Sequence, residues 1–259
     1  MSESPATVVR RVEWRAATVA QVIEETSGAR TLLLDVPGWP GHRPGQHVDV
    51  RLTSVDGYQA QRSYSIASPP GDASLAITIE RLEDGEVSSY LCGDLREGDQ
   101  FELRGPIGGY FVWDLGDGGP LLLIAGGSGI VPLMAMLRHR SGMLVERSKR
   151  HAVPARLLYS SRSWNDVIYR DELSAMAASD DSLGVTHTIT REPPAGWSGY
   201  RRRIDRAMLA EVAWPPDERP RIFICGPTPL VESVASECVA MGHDAALVKT
   251  ERFGPTGNP

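Results

Sequence analysis

The fold is decided by the stretch Leu-Leu-Leu-Ile-Ala-Gly-Gly-Ser-Gly-Ile-Val-Pro-Leu at residues 121–133. Its apolar start, residues 121–125, predicts a buried strand, and residues from about 130 to 140 predict a helix. The glycines between them would let a phosphate group approach the backbone N–H groups at the helix N-terminus, where the helix dipole favours an anion. A strand-to-helix turn that needs glycine for its own geometry would have the same sequence. The stretch alone therefore leaves both interpretations open.

Downstream of this stretch, short apolar strands alternate with helices. Strands are predicted at 157–160, 185–190 and 222–225, and helices at about 166–178, 206–212 and 230–241. This alternation predicts a doubly wound parallel sheet. The strand at 222–225 leads into Cys-Gly-Pro at 225–227, and its end would lie at the same carboxyl edge as that of 121–125, where nucleotides bind. Cys225 would then form the pocket floor, although an unpaired cysteine is as often a buried structural residue.

Upstream of the stretch, the sequence has the pattern of an antiparallel β-structure. Short β-rich segments lie at 8–12, 16–24, 31–36, 47–52, 63–66, 75–81 and 100–103, separated by turns rich in glycine and proline. Strands at this spacing predict a barrel or a sandwich, with one helix at 88–95. The glycine-rich residues 116–120 are predicted to link the two parts. The expected domains are therefore residues 1–115 and 116–259.

Composition and charge exclude several classes of protein. The 259 residues are 41% hydrophobic and 23% charged, which is ordinary globular usage. A net charge of −6, from 27 basic and 33 acidic residues, argues against a nucleic-acid binder. No apolar run approaches a bilayer span, and residues 1–15 show no secretory signal. Three distant cysteines and histidines without ligand spacing predict no disulfide framework and no metal site, so we expect a cytoplasmic protein without membrane insertion.

The segment Arg62-Ser63-Tyr64-Ser65 brings a guanidinium, a flat ring and two hydroxyls together on one predicted strand. By strand alternation Arg62, Tyr64 and Ile66 should face one way, while Ser63 and Ser65 face the other. Taken alone, this segment is more typical of an exposed strand without function.

Five motifs follow one another in a fixed order over about residues 12–253. They are Arg-Ser-Tyr-Ser at 62–65, Gly-Glu-Val-Ser-Ser-Tyr-Leu at 85–91, Gly-Pro-Ile-Gly-Gly-Tyr-Phe at 105–111, Gly-Gly-Ser-Gly-Ile-Val-Pro at 126–132 and Cys-Gly-Pro at 225–227. This order resembles the ferredoxin–NADP reductase superfamily. The resemblance implies a six-stranded antiparallel flavin-binding barrel followed by a doubly wound NAD(P)-binding domain, with hydride passing between nicotinamide and flavin where they meet.

On the flavin side, the resemblance assigns roles to residues in three places. Arg62 is similar to the clamp on the flavin phosphate, Tyr64 to the aromatic residue against the isoalloxazine, and Ser65, next to Ser63, to the hydroxyl near flavin N5. The turn at 85–89, with Gly85, Glu86, Val87 and Ser88, resembles the pyrophosphate-binding turn that favours FAD over FMN. Glu251-Arg252-Phe253 resembles an acidic and aromatic C-terminal tail, in which Glu251 would tune N5 and Phe253 would cover the flavin.

On the nucleotide side, the resemblance points to two turns. The nicotinamide-nucleotide loop would consist of Gly126, Gly127, Ser128, Gly129, Ile130 and Pro132. The turn beneath the nicotinamide would consist of Cys225, Gly226 and Pro227. Catalytic roles are thus expected for Ser65, Cys225 and Glu251.

The sequence favours NADPH over NADH as the nicotinamide cofactor, although NADH stays possible. After the strand at 157–160 an NAD site usually places an acidic residue, whereas here Ser160-Ser161-Arg162-Ser163 follows. Ser161, Arg162 and Arg191, the last in a Thr-Arg-Glu turn after the next strand, suit a 2′-phosphate. Asp166 could still reach a ribose if its loop folds back.

The expected activity is that of an FAD-dependent NAD(P)H oxidoreductase with a separate ferredoxin or oxygenase component as acceptor. The C-x4-C-x2-C run of a plant-type iron–sulfur domain is absent from the sequence, so the electrons are expected to leave for another molecule. A free-flavin or ferric reductase is one alternative, and a nucleotide-binding subunit without turnover is another. Basic residues at 138–151 and 199–206 either steer an acidic partner or form solvated faces without function.

Overall fold

The computed structural model describes residues 12–82, 84–146 and 153–253. Of the predicted strand at 8–12, only Val12 lies within the described residues, and it is not in a strand.

The N-terminal part is a six-stranded antiparallel sheet in the order β4-β3-β6-β1-β2-β5. The strands are β1 (Trp14–Thr26), β2 (Ala29–Asp35), β3 (His47–Thr53), β4 (Gln59–Ser65), β5 (Leu75–Glu80) and β6 (Gln100–Ile107). An isolated bridge between Ile66 and Ile77 joins the two ends of this order, so the sheet closes into a barrel. Alternate residues of each strand, such as Leu32 and Leu34 on β2, fill the barrel core. The predicted barrel is confirmed.

One helix, α1 (Glu86–Gly93), follows β5 and covers one side of the barrel. It was predicted at 88–95 and begins two residues earlier, directly after Gly85. Val87 and Leu91 of α1 pack into the barrel core.

The C-terminal part is a parallel five-stranded sheet in the order β11-β10-β7-β8-β9. Its strands are β7 (Leu121–Gly126), β8 (Ala155–Ser163), β9 (Leu183–Glu192), β10 (Arg221–Pro227) and β11 (Val248–Phe253). Its helices are α2 (Ile130–Glu146), α3 (Arg170–Ser179), α4 (Arg206–Val212) and α5 (Thr228–Ala240). The strand order reverses between β7 and β10, and this switch point is where such sheets bind ligands. The predicted doubly wound sheet is confirmed.

One predicted helix begins too early, and two other segments of the sequence analysis have regular structure. Residues 166–169 precede α3 rather than belonging to it, because Asp166 accepts a hydrogen bond from the Ser163 N–H (3.0 Å) and Tyr169 adopts a left-handed φ of 59°. The predicted linker begins in a short 3-10 turn, Leu115–Asp117, which Asp114 caps. Residues 251–253, which resemble an acidic and aromatic tail, form the end of strand β11.

The two sheets share one apolar core. Ala67, Ala76 and Phe111 from the barrel lie in the same buried cluster as Ile130 and Phe223 of the nucleotide part. The opposite face of the parallel sheet packs instead on α4 and α5. One face of the parallel sheet is therefore covered in part by the barrel.

A chain of buried hydroxyls also crosses between the two parts. Tyr169 Oη contacts Thr78 Oγ1, which lies 2.7 Å from Thr31 Oγ1, and Thr31 donates to Glu25 Oε1 at 2.6 Å. Because Thr31 donates its only proton to the carboxylate, Thr78 donates to Thr31 and Tyr169 donates to Thr78. We call these four residues the interdomain clasp.

No helix in the described ranges is long and apolar enough to cross a membrane.

Candidate functional site

The glycines at the switch point permit an unusually close approach of the ends of β7 and β10. A Cβ atom on Gly129 would lie 2.1 Å from the Cys225 carbonyl oxygen, and one on Gly226 would lie 3.0 Å from the Gly126 carbonyl oxygen. Gly127 has a φ of 54°, in the left-handed region that favours glycine. These positions exclude side chains, so the turn leaves backbone open at the carboxyl edge of the sheet.

The turn Gly127–Gly129 leads directly into α2. Ile130 is fully buried, and Pro132 lies in the first turn of the helix, where its missing N–H breaks no intrahelical bond. The positive end of α2 thus lies at the carboxyl edge of the sheet, and binding of a nucleotide anion there stays a prediction.

Cys225, Glu251 and Phe253 lie on the face of the sheet that meets the barrel. Cys225 belongs to the shared core, and Glu251 is its register partner on β11. Phe253, two residues further along β11, packs against the same core. Lys249, two residues before Glu251, donates a hydrogen bond to the Val112 carbonyl of the barrel part at 3.1 Å. The pattern of alternation on β11 therefore directs Glu251 toward the barrel.

Burial controls the charge of this pair. Desolvation raises the pKa of Glu251 to about 7. Desolvation, and then the nearby Glu251 carboxylate, raises the pKa of the Cys225 thiol well above its usual value. Cys225 is thus a neutral thiol at neutral pH, whereas Glu251 exchanges its proton close to neutral pH.

In the Arg62–Ser65 segment the predicted alternation is observed. Tyr64 and Ile66 pack with the barrel core, whereas Ser65 faces the other way and is buried. Ser63 donates a hydrogen bond to Asp49 Oδ1 at 2.6 Å, so its hydroxyl has a structural partner. Arg62 is exposed, and its guanidinium contacts only the neighbouring Gln61 carbonyl at 2.7 Å among the described residues.

The turn before α1 differs from the expectation in one respect. Ser88 Oγ accepts from the Leu82 N–H at 3.1 Å and lies 3.2 Å from the Gly85 carbonyl, so this hydroxyl holds the turn together. Val87 is buried in the core, and Glu86 is exposed next to the Tyr58 hydroxyl at 3.2 Å. Among the residues that the structure describes, no side chain caps the start of α1. Because these side chains have structural contacts, only the backbone N–H groups of the turn are left to bind a pyrophosphate.

The residues present fit a bound flavin. Ser65 Oγ and Glu251 Oε2 are buried without a hydrogen-bond partner in the described part of the chain, and buried polar atoms of native proteins normally have one. They extend from the two sides of the interface, one from the barrel and one from the parallel sheet. A diphosphate would find positive charge on Arg62 and backbone N–H donors at the start of α1.

The ends of β8 and β9 bring together the residues predicted to select the nucleotide. Ser161 pairs with Ile189 in the register, so Arg162 and Arg191 extend from adjacent strand ends. Both arginines are exposed, and neither forms a salt bridge within the described ranges. Ser161 Oγ is buried without a partner. Asp166 is bound to the Ser163 backbone, so its predicted reach to a ribose is not observed here.

The predicted basic surface at 138–151 is not formed by its first two arginines. Arg138 pairs with Glu172 at 2.6 Å, and the fully buried Arg140 pairs with Asp180 at 2.5 Å. The remaining basic residues of that segment, at 147–151, lie outside the described residues. In the second segment Arg202 and Arg206 also have acidic partners, Asp205 and Glu237. These arginines act as structural ion pairs rather than as free positive charge.

Two contributors near the site have no signal in the sequence. Glu80, at the end of β5, accepts a hydrogen bond from the Ser128 N–H at 3.3 Å. Tyr169 extends its hydroxyl into the barrel from outside any recognised motif. Both positions depend on how the two sheets pack, and a local sequence pattern does not predict that packing.

Comparison with known proteins agrees with this arrangement. The model of the oxidoreductase FAD-binding domain matches residues 18–112, and that of the oxidoreductase NAD-binding domain matches residues 123–236. The glycine betaine monooxygenase reductase subunit of Pseudomonas aeruginosa is 36% identical over 242 residues, which are 91% of this chain and 63% of that protein. The ferredoxin reductase component of 3-ketosteroid-9-alpha-monooxygenase from Mycobacterium tuberculosis is 32% identical over 247 residues, with coverages of 91% and 64%.

The chain thus spans somewhat less than two thirds of the length of these relatives. Among solved structures, a ferredoxin NADP+ reductase from Neisseria gonorrhoeae with bound FAD and NADP superposes with a TM-score of 0.74 at 20% identity, covering 93% of this chain and 99% of that one. With its FAD-binding barrel, its NAD-binding parallel sheet and their order along the sequence, the chain belongs to the ferredoxin–NADP reductase superfamily.

Proposed function

We propose that this chain is an FAD-dependent oxidoreductase that takes electrons from NAD(P)H and delivers them to a separate ferredoxin or oxygenase component. The observation that carries the proposal is the meeting of two sets of groups. Cys225 and Glu251 of the parallel sheet face the barrel beside an open glycine turn, and Ser65 of the barrel is buried with a free hydroxyl. The relatives that are oxygenase reductase components support the same acceptor class.

The barrel residues would hold the flavin. Arg62 would bind its phosphate, Tyr64 would pack beside its ring system, and the N–H groups at 86–88 would receive the diphosphate. Ser65 would hydrogen-bond near N5, and Phe253 would cover the ring from the side of β11. We place the division between the flavin and nucleotide domains near residue 115.

The bound flavin supplies the exchange between two-electron and one-electron carriers. The role of the protein is to orient the nicotinamide and the flavin and to exclude water from them. Gly129 and Gly226 let the nucleotide approach the sheet edge, while Cys225, which is fully buried, supplies a neutral surface against the nicotinamide. Glu251, with its pKa near 7, can hold a proton in this dry environment close to neutral pH.

NADPH is the preferred nicotinamide cofactor in this proposal. The support comes from the two exposed arginines at adjacent strand ends, and from Asp166, whose carboxylate accepts a hydrogen bond from the Ser163 N–H. Arg162 and Arg191 would bind the 2′-phosphate, with Ser161 as a hydroxyl donor. The three buried free cysteines, Cys92, Cys225 and Cys238, support a reducing, cytoplasmic location.

The first experiment is a visible spectrum of the purified protein, followed by identification of the flavin released on denaturation. We expect yellow protein that releases FAD and reduces cytochrome c with NADPH, faster when a ferredoxin is added. A colourless protein that FAD cannot reconstitute would contradict the proposal. If the protein instead loses its flavin on gel filtration and is fully active once free flavin is added, the free-flavin reductase is favoured.

The second experiment measures kcat/KM for NADPH and for NADH. Joint replacement Arg162→Ala and Arg191→Ala should raise the KM for NADPH and leave NADH almost unchanged. Arg203→Ala, which removes another exposed arginine of the same part of the chain, is the matched control. A higher kcat/KM of the wild-type protein for NADH would show that the proposed phosphate clamp is absent.

A further inference from the structure

Strand β5 presents every second residue to the nucleotide part of the protein. Ala76 lies in the shared core, Thr78 contacts the Tyr169 hydroxyl, and Glu80 Oε2 accepts a hydrogen bond from the Ser128 N–H at 3.3 Å. The ideal Cβ position of Gly127 lies 3.7 Å from the same oxygen. The packing of β5 therefore places a barrel carboxylate on the turn that precedes α2.

This carboxylate lies where the nucleotide needs an anion site. The N–H groups of the turn Gly127–Gly129 and the positive end of α2 favour a negative group. Glu80 supplies one from within the protein. A nucleotide diphosphate at the same turn would find the Ser128 N–H already bound to Glu80, and the negative charge of Glu80 would repel it. The diphosphate and the Glu80 carboxylate therefore compete for this turn.

The contact is one that a ligand can displace. Glu80 is exposed, and in the described residues its carboxylate forms no other hydrogen bond and no salt bridge. Its backbone, by contrast, is fixed by β5, since Thr78 is buried in the interdomain clasp. The side chain can thus swing into solvent while the strand stays in place.

We propose that Glu80 is a built-in competitor for the nucleotide diphosphate, which it opposes at the Gly127–Gly129 turn. This inference rests on the proposed function as an NAD(P)H oxidoreductase. Glu80 lowers the affinity for the nucleotide and favours its release. Because the diphosphate is common to both nicotinamide cofactors, Glu80 affects NADPH and NADH alike, unlike Arg162 and Arg191, which meet only the 2′-phosphate.

The test is the dissociation constant of NADP+, and separately of NAD+, for the oxidised FAD-loaded protein by isothermal titration calorimetry. Glu80→Gln keeps the size of the side chain and removes its charge. We expect both dissociation constants to fall by the same factor, about two- to fivefold, which is the usual effect of one charge at a helix N-terminus. At about 1 M salt, where charges are screened within about 3 Å, the difference should shrink.

The matched control is Asp35→Asn. Asp35 is likewise the exposed last residue of a barrel strand, and it forms no hydrogen bond with the turn among the described residues. Its replacement should leave both dissociation constants unchanged.

Equal affinities of wild type and Glu80→Gln would overturn the inference and leave the proposed function intact. Weaker binding by Glu80→Gln would overturn it too, because Glu80 would then hold the nucleotide rather than oppose it. Wild-type protein that binds neither nucleotide would refute the proposed function itself.

Discussion

The interdomain clasp offers the sharpest test of how the two sheets are held together. Tyr169→Phe removes the hydroxyl that contacts Thr78 and keeps the ring, above which the Arg138 guanidinium lies at 4.8 Å. Thr78 still donates to Thr31 in the variant, so no buried donor loses its partner. Only the net value of one buried hydrogen bond is lost, about 1 kcal/mol of unfolding free energy. For a chain of this size that corresponds to about 2–4 °C in Tm.

Thr78→Val should cost more, about 1–3 kcal/mol, because it leaves the buried Tyr169 hydroxyl without an acceptor. The double variant removes both groups at once and so leaves no orphaned hydroxyl at this contact. We therefore expect its cost to be smaller than the sum of the single costs by at least about 0.5 kcal/mol.

The assay is urea unfolding of the FAD-loaded protein, followed by both circular dichroism and flavin fluorescence. Costs that add within error would show that the Tyr169–Thr78 contact contributes nothing, and the assignment of a clasp would be wrong. The shared apolar core, to which Phe111 contributes a side chain without a hydroxyl, would then hold the two parts together without help from this contact.

Three further outcomes follow from the site. Arg62→Ala should weaken FAD binding roughly ten- to a hundredfold, as measured by fluorescence titration, because a charge-assisted bond to phosphate is lost. Cys225→Ala should retain flavin but slow its reduction by NADPH in stopped-flow absorbance; a wild-type rate would make Cys225 purely structural. Because burial raises the pKa of Glu251 from 4.5 to about 7, the fold favours its protonated form, so the contribution of this group to stability is complete below about pH 4.5 and is lost as the pH rises through 7. Chemical denaturation should show a loss of up to roughly 3 kcal/mol in wild type and none of it in Glu251→Gln; the same loss in both would contradict the assignment.

The sequence was sufficient where a local pattern has only one structural solution. The apolar run before Gly126 and the run before Gly226 both had to be buried strands, and the glycines between strand and helix had to lie at turns. Their alternation with helices predicted the parallel sheet and hence the switch point. The closed barrel followed in the same way from short strands and frequent turns.

Strand β11 was missed because its local pattern is that of an exposed tail. Val-Lys-Thr-Glu-Arg-Phe at 248–253 carries charges at alternate and adjacent positions. Lys249 and Glu251 face the barrel only because the two sheets pack against each other, and Arg252 pairs with Glu232 of α5 on the other face. A charged residue that is buried by a distant part of the chain has no local signature.

The same limit explains the basic segment at 138–151. Arg140 is neutralised by Asp180, which is 40 residues away in the sequence. Counting charges along a helix cannot distinguish a buried ion pair from an exposed face. Tyr169 and Glu80 illustrate the point in reverse, since ordinary residues gained a role through tertiary contact.

The position of β11 also determines when the site can exist during synthesis. Glu251 and Phe253 are delivered by the last described strand, whereas Ser65 and Arg62 emerge early and belong to a part that can begin folding first. Until β7 and its helix appear, the apolar residues Ala67 and Ala76 lack the buried neighbours that cover them in the finished structure. A chain released before β11 would carry Ser65 and Arg62 without the Glu251 carboxylate and the Phe253 ring that the parallel sheet turns toward the barrel.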